Sequence, residues 1–97
     1  MSTQALYKIE KFDGVSQIKC SGEWTKQSVD KIFEKLGDFV DIKSNIVCDI
    51  TDIQKFDTAG AMAILHIKRG IEEKKLLFTI QSNNEKNSNL IDLCSRF

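Results

Sequence analysis

The 97-residue chain contains no proline, one tryptophan, one histidine, five glycines and no excess of either charge. With no proline, repeat or low-complexity stretch, nothing marks a linker between separate segments. Fourteen Lys and Arg balance fourteen Asp and Glu, and no basic cluster interleaves with aromatics, which speaks against a nucleic-acid partner. No run approaches the ~20 apolar residues of a transmembrane helix. The Met1-Ser2-Thr3-Gln4 start also lacks the basic-then-apolar order of a secretory signal, so the expected location is the cytoplasm. Neither G-x-x-x-x-G-K-[ST] nor G-x-G-x-x-G occurs, which removes the glycine-rich phosphate cradles. Cys20, Cys48 and Cys94 are odd in number and widely spaced within apolar patterns. They read as reduced, buried thiols, and no Cys/His ligand spacing suggests a metal or other cofactor.

What is present suits one globular domain. With 41% hydrophobic and 29% charged residues, a chain of this length buries a little over ~60% of the surface its unfolded form exposes. Tyr7 and Ile9 alternate with Lys8 and Glu10 as in a strand with one wet face. Asp13-Gly14 is a hairpin signal, and residues 15–20 read as the returning antiparallel strand. Gly22-Glu23-Trp24-Thr25 then breaks the strand. Thr25 is a candidate cap for a helix carrying Val29, Ile32, Phe33 and Leu36 on one stripe, with Gly37 as its stop or Phe39 and Val40 as a further turn. Residues 38–45 read as a polar link.

Residues 46–50 form a β-branched apolar run, expected to be a strand covered on both faces. A polar turn and a helix follow, in which Gly60, Ala63, Ile64, Ile67 and Ile71 share the stripe that should face a sheet. Thr58, Met62, His66, Arg69 and Glu73 fall on the opposite side. Residues 76–80 suggest another inner strand, and Leu90, Leu93, Cys94 and Phe97 a last helical stripe. The predicted order is ββαβαβα: an α/β domain with helices packed on a mixed sheet and the hairpin near an edge.

The candidate site is Asp57-Thr58-Ala59-Gly60, at the junction of the central strand and its helix. Asp57 or Thr58 can cap the helix through a side-chain oxygen. An ordinary cap explains this much; small residues where the helix meets the sheet add the suggestion of a site. Nucleophilic catalysis is disfavoured, because His66 lies two turns beyond Thr58, ~12 Å along the axis. Asp49, Asp52 and Asp57 read more simply as caps and turn residues than as metal ligands. Trp24 is expected to pack the corner where it sits. Met62 and Leu65, near the wet side of the helix, suggest an interaction face.

These residues carry a resemblance. Ser21-Gly22-Glu23-Trp24-Thr25, Val47-Cys48-Asp49-Ile50-Thr51 and Phe56-Asp57-Thr58-Ala59-Gly60-Ala61 resemble the STAS domain, and the likeness spans residues 1–97 nearly throughout. The family includes bacterial anti-sigma factor antagonists, cytoplasmic domains of sulfate transporters and the small subunit of Mla-type phospholipid ABC transporters. It implies a STAS-like mixed sheet and no enzymatic activity. In the antagonists the matching motif is usually Asp-Ser-Ser-Gly, with the first Ser phosphorylated; Thr58 stands at that position and Ala59 replaces the second Ser.

Asp57-Thr58-Ala59-Gly60 with Gly22-Glu23-Trp24-Thr25 looks more like the lipid-transport branch. That branch implies an adaptor at the inner face of the cytoplasmic membrane, as a separate subunit or the N-terminal domain of a permease, binding the transporter's ATPase. Asp57, Thr58, Ala59, Gly60, Met62, Leu65, His66 and Arg69 are the implied contact and regulatory set. The alternative is a phosphorylation switch at Thr58, and a small enzyme or ligand-binding domain comes last. A homo-oligomer is possible but not indicated.

Overall fold

Asp13 and Gly14 adopt φ values of 47° and 80°, the left-handed pair a type I′ turn needs. They join β1 (Ala5–Phe12) to β2 (Val15–Trp24) as an antiparallel hairpin. The protein, seen in a computed structural model, is described over residues 4–35 and 37–96. The expected stripe positions Leu36 and Phe97 lie outside the described residues. The remaining elements are α1 (Asp30–Glu34), α2 (Gly37–Val40), β3 (Asn45–Phe56), α3 (Thr58–Glu72), β4 (Phe78–Gln81) and α4 (Glu85–Cys94). With α1 and α2 together filling the place of the first helix, the ββαβαβα order stands. The sheet runs β1-β2-β3-β4, with β2, β3 and β4 parallel, so the hairpin does lie at an edge.

The core is a single cluster on one face of this sheet. Ser16 pairs with Ile46, and Ile18 with Cys48, while Phe78 meets Ile46 from the other side. Helical residues Ile32, Phe39, Ile64, Ile71 and Ile91 pack onto these rows. The opposite face carries Lys8, Glu10, Gln17, Lys19 and Asp49 by register. The run at 46–50 is therefore covered on one face rather than two: Ile46, Cys48 and Ile50 are buried, whereas Val47 and Asp49 are only half-buried. β-Branched residues serve either environment, so composition does not separate them.

Of the three parallel strands, β2 and β3 outrun their apolar cores. β2 continues through Gly22-Glu23-Trp24, and β3 continues through residues 51–55, polar apart from Ile53, where the sequence reads as a turn. Two register shifts, between Lys19 and Ser21 and between Gly22 and Glu23, absorb extra residues of β3. Such bulges change the phase of alternation, which turns Ile53 onto the core face after Ile50. At the second, Gly22 has φ 79° and lies against the Gln4 carbonyl, leaving no room for a Cβ.

The first helical stretch differs most from its pattern. The Thr25 carbonyl accepts the amides of Ser28 and Val29 in a turn, and α1 starts only at Asp30, with no side-chain cap at Val29. Gly37, the expected stop, instead opens α2, whose Phe39 is buried and tilted against Tyr7. Phe33 leaves the stripe and is exposed. β4 begins at Phe78 rather than Leu76, because the Leu77 amide donates to Asn45 Oδ1 and its side chain points outward. In α4, Asn84 caps the first turn and Ile91 and Cys94 are buried, but Leu93 is exposed. No helix among the described residues is long and apolar enough to cross a membrane.

Candidate functional site

α3 starts where β3 leaves the sheet, and one side chain defines the start. Asp57 is extended, and its Oδ1 accepts the Gly60 amide at 3.1 Å while Oδ2 accepts the Lys26 amide at 3.0 Å. Asp57, not Thr58, is thus the cap, and its carboxylate satisfies one otherwise unpaired helix amide while tying α3 to the turn after β2. A carboxylate suits this place because it also opposes the positive end of the helix dipole.

Trp24 forms the other wall of the junction. Its side chain is fully buried, and Nε1 donates to the carbonyls of Ser21 at 3.0 Å and Leu6 at 3.3 Å. Its own carbonyl accepts the Asp57 amide at 3.3 Å. Gly60 lies against the same carbonyl so closely that a Cβ would fall well inside van der Waals contact. The glycine lets the helix touch the strand's backbone there. Ser28, buried beside the turn, donates through Oγ to the Glu23 carbonyl, holding residues 25–28 in place.

On this rigid corner Thr58 is exposed at the first helical position, and no described residue hydrogen-bonds its hydroxyl. Ala59 is half-buried and Gly60 buried. Met62, His66, Arg69 and Glu73 continue an exposed stripe from Thr58, as their spacing predicts, while Gly60, Ala63, Ile64, Ile67 and Ile71 are all buried. Leu65 is a correction: only 3% of it is exposed. It follows the buried Ala61 by four residues and joins the same core cluster, so the apolar stripe of α3 is wider than the five sheet-facing positions. Leu65 belongs to the core and cannot contribute to an exposed contact set.

Two neighbours of the stripe carry no signal in sequence. Lys26 reaches Asp57 only through the fold, from 31 positions away. Phe33, on α1, meets the His66 ring edge-on at 5.6 Å and extends the exposed surface sideways. A groove of about 350 Å³ opens next to them between α2 and α3, lined by Phe39, His66, Ile67, Gly70 and Ile71.

The remaining chemistry is dispersed. Asp49 Oδ1 accepts the amide and the hydroxyl of Thr51 at 2.9 and 2.7 Å, and Asp52 is exposed across the bulge from it. Among the described residues, no three His, Cys, Asp or Glu side chains gather as a metal site would require. All three cysteines are buried and unbridged. Cys20 and Cys48 thiols lie 3.9 Å apart; their hydrogen bond, and then burial, push the Cys20 thiol far above its ordinary pKa. A thiol so protonated is a poor nucleophile.

The STAS domain family model matches residues 7–95. No curated protein sequence matches the chain. Among solved structures, the chain is similar to an anti-sigma factor antagonist from Mycobacterium paratuberculosis. The two share 18% identity with a TM-score of 0.73, over 95% of this chain and 79% of that one. At that identity the likeness is one of fold.

Proposed function

Since the chain belongs to the STAS domain family, we propose that it is a non-enzymatic adaptor of an ABC-type lipid transport system, docking the system's ATPase subunit at the N-terminal end of α3. The observation that carries this reading is the Thr58 hydroxyl, exposed and without a described partner on a tip that Asp57 and Trp24 hold fixed. Preorganisation of this kind lowers the ordering cost of association. Met62, 38% exposed, supplies an apolar contact beside it, and His66 and Arg69 continue the surface as a polar rim. The form of the motif, Asp57-Thr58-Ala59-Gly60 with Gly22-Glu23-Trp24-Thr25, favours the lipid-transport branch. The membrane permease, in the same polypeptide or a separate one, is the second proposed partner, and it places the adaptor at the inner face of the membrane.

Pull-down with the cognate ATPase tests the reading. The double substitution Thr58→Arg, Met62→Asp should weaken capture more than about thirtyfold, the loss expected for a contact at the centre of an interface. Undiminished binding would refute it.

A second reading has its own support in the same exposed hydroxyl: a kinase phosphorylates Thr58 and so releases the partner. The helix N-terminus would attract the phosphate, yet about −1.5 to −2 of added charge beside the Asp57 carboxylate would spoil a surface suited to a neutral group. The structural neighbour, an anti-sigma factor antagonist, is in keeping with such a switch. Stoichiometric phosphate on Thr58 by mass spectrometry, after incubation with candidate kinases and ATP, would favour the switch over the constitutive adaptor.

A further inference from the structure

The outer edge of β1 is built unlike the other free stretches of the sheet. β4 exposes only four residues, and the part of β3 that β4 does not cover carries two bulges together with the charged Asp52 and Lys55. Short length, bulges and charge all discourage a strand from adding. β1 has none of the bulges: its eight residues pair with β2 in unbroken register, and the chain contains no proline.

The direction of its backbone follows from that register. The Glu23 amide donates to the Gln4 carbonyl, so the residues of β1 facing β2 are the even-numbered ones. Ala5, Ile9 and Lys11 therefore present their amides and carbonyls outward. On the sheet face away from the helices, β1 displays Leu6, Lys8, Glu10 and Phe12 in that order. Leu6 is 50% and Phe12 55% exposed. Lys8 and Glu10 lie 3.2 Å apart, and Lys8 faces the like charge of Lys19 across the hairpin.

We propose that a second copy of this chain adds antiparallel to β1 about a two-fold axis at Ile9, joining two four-stranded sheets into one of eight strands. In this register Lys8 faces Glu10 of the second copy, Glu10 faces its Lys8, and Leu6 and Phe12 face each other at both ends. The outward backbone permits only registers that differ by a whole repeat. Sliding one repeat either way sets Lys8 against Lys8, or Glu10 against Glu10. Opposite-charge and aliphatic–aromatic cross-strand pairs stabilise a ladder, and like charges directly opposite oppose it, so the order of these four side chains selects a self-complementary, closed interface. The register also brings Asp13 of the second copy opposite Ala5, on the side where Lys31 and Lys35 border the strand. No residue of α3 takes part, which leaves both Thr58 tips uncovered.

Sedimentation equilibrium on the whole chain decides the matter. The wild type should rise from 11.0 kDa towards twice that mass as concentration increases. Glu10→Lys turns two symmetry-related pairs from attraction to repulsion and should weaken association by roughly tenfold or more. Lys8→Glu should do the same, and the double exchange Lys8→Glu, Glu10→Lys should restore it, which a mere loss of stability would not. A wild type that stays monomeric up to about 1 mM, or single and double variants that associate alike, would overturn the proposal.

Discussion

Trp24→Ala is expected to cost about 3–5 kcal/mol, the range for emptying a tryptophan-sized site in a close-packed core. The side chain has no exposed surface and fills the corner between β2, β3 and α3. Its loss also leaves the Ser21 and Leu6 carbonyls without the indole N–H. A domain of this size has about 5–15 kcal/mol of stability in all, so the variant should retain a fold but unfold at a much lower urea concentration. Chemical denaturation followed by far-UV circular dichroism measures this. A loss under about 1 kcal/mol would mean that the corner collapses around the cavity and that Trp24 does not hold the α3 tip.

The second large effect is a contrast within one helix. Gly60→Ala and Gly70→Ala make the same chemical change in α3, and in a helix interior it ordinarily stabilises by about 0.5–1 kcal/mol. At Gly70 the added methyl meets nothing, so that gain should appear. At Gly60 the methyl would enter the Trp24 carbonyl, part of a backbone held in the sheet and unable to swing aside as a flexible side chain can. Overpacking of this kind costs about 3 kcal/mol. With a shift of roughly 4–8 °C per kcal/mol at this size, thermal melts of the two variants should separate by roughly 15 °C or more, on opposite sides of the wild type. Equal melting temperatures would show that the close approach is relieved cheaply. Displacing α3 from β2 would also pull the Gly60 amide from Asp57, so Gly60→Ala should impair partner capture even where the domain remains folded.

The contact between Gly60 and Trp24 is announced by the residues only in part. Glycine at the third place of an amphipathic helix can be read as a small residue facing a sheet. That its neighbour is the carbonyl of Trp24 cannot. Likewise Asp57 is recognisable as a cap, while the Lys26 amide that shares its carboxylate is invisible in one dimension. Leu65 shows the limit from the other side. The helical period correctly separates the buried Ile64, Ile67 and Ile71 from the exposed Met62, His66 and Arg69, but Leu65 lies between these faces, and its environment depends on whether another helix lies alongside.

The strands show the same division. Asp13-Gly14 specifies its hairpin because a positive φ at two successive residues is a property of those residues themselves. The mostly polar residues 51–55 continue β3 only because β2, similarly extended, stands beside them to accept their pairing.

Features settled within a few neighbouring residues, such as the hairpin, the face of α3, the acidic cap and the balanced charge, could be read from the order of amino acids, because the interactions that make them are local. Which side of the sheet the helices cover, where Leu65 goes, what Gly60 touches and which strand is left at the rim were decided by packing between segments distant along the chain. Periodicity says that a surface is apolar, but the element that buries it is chosen by the whole fold.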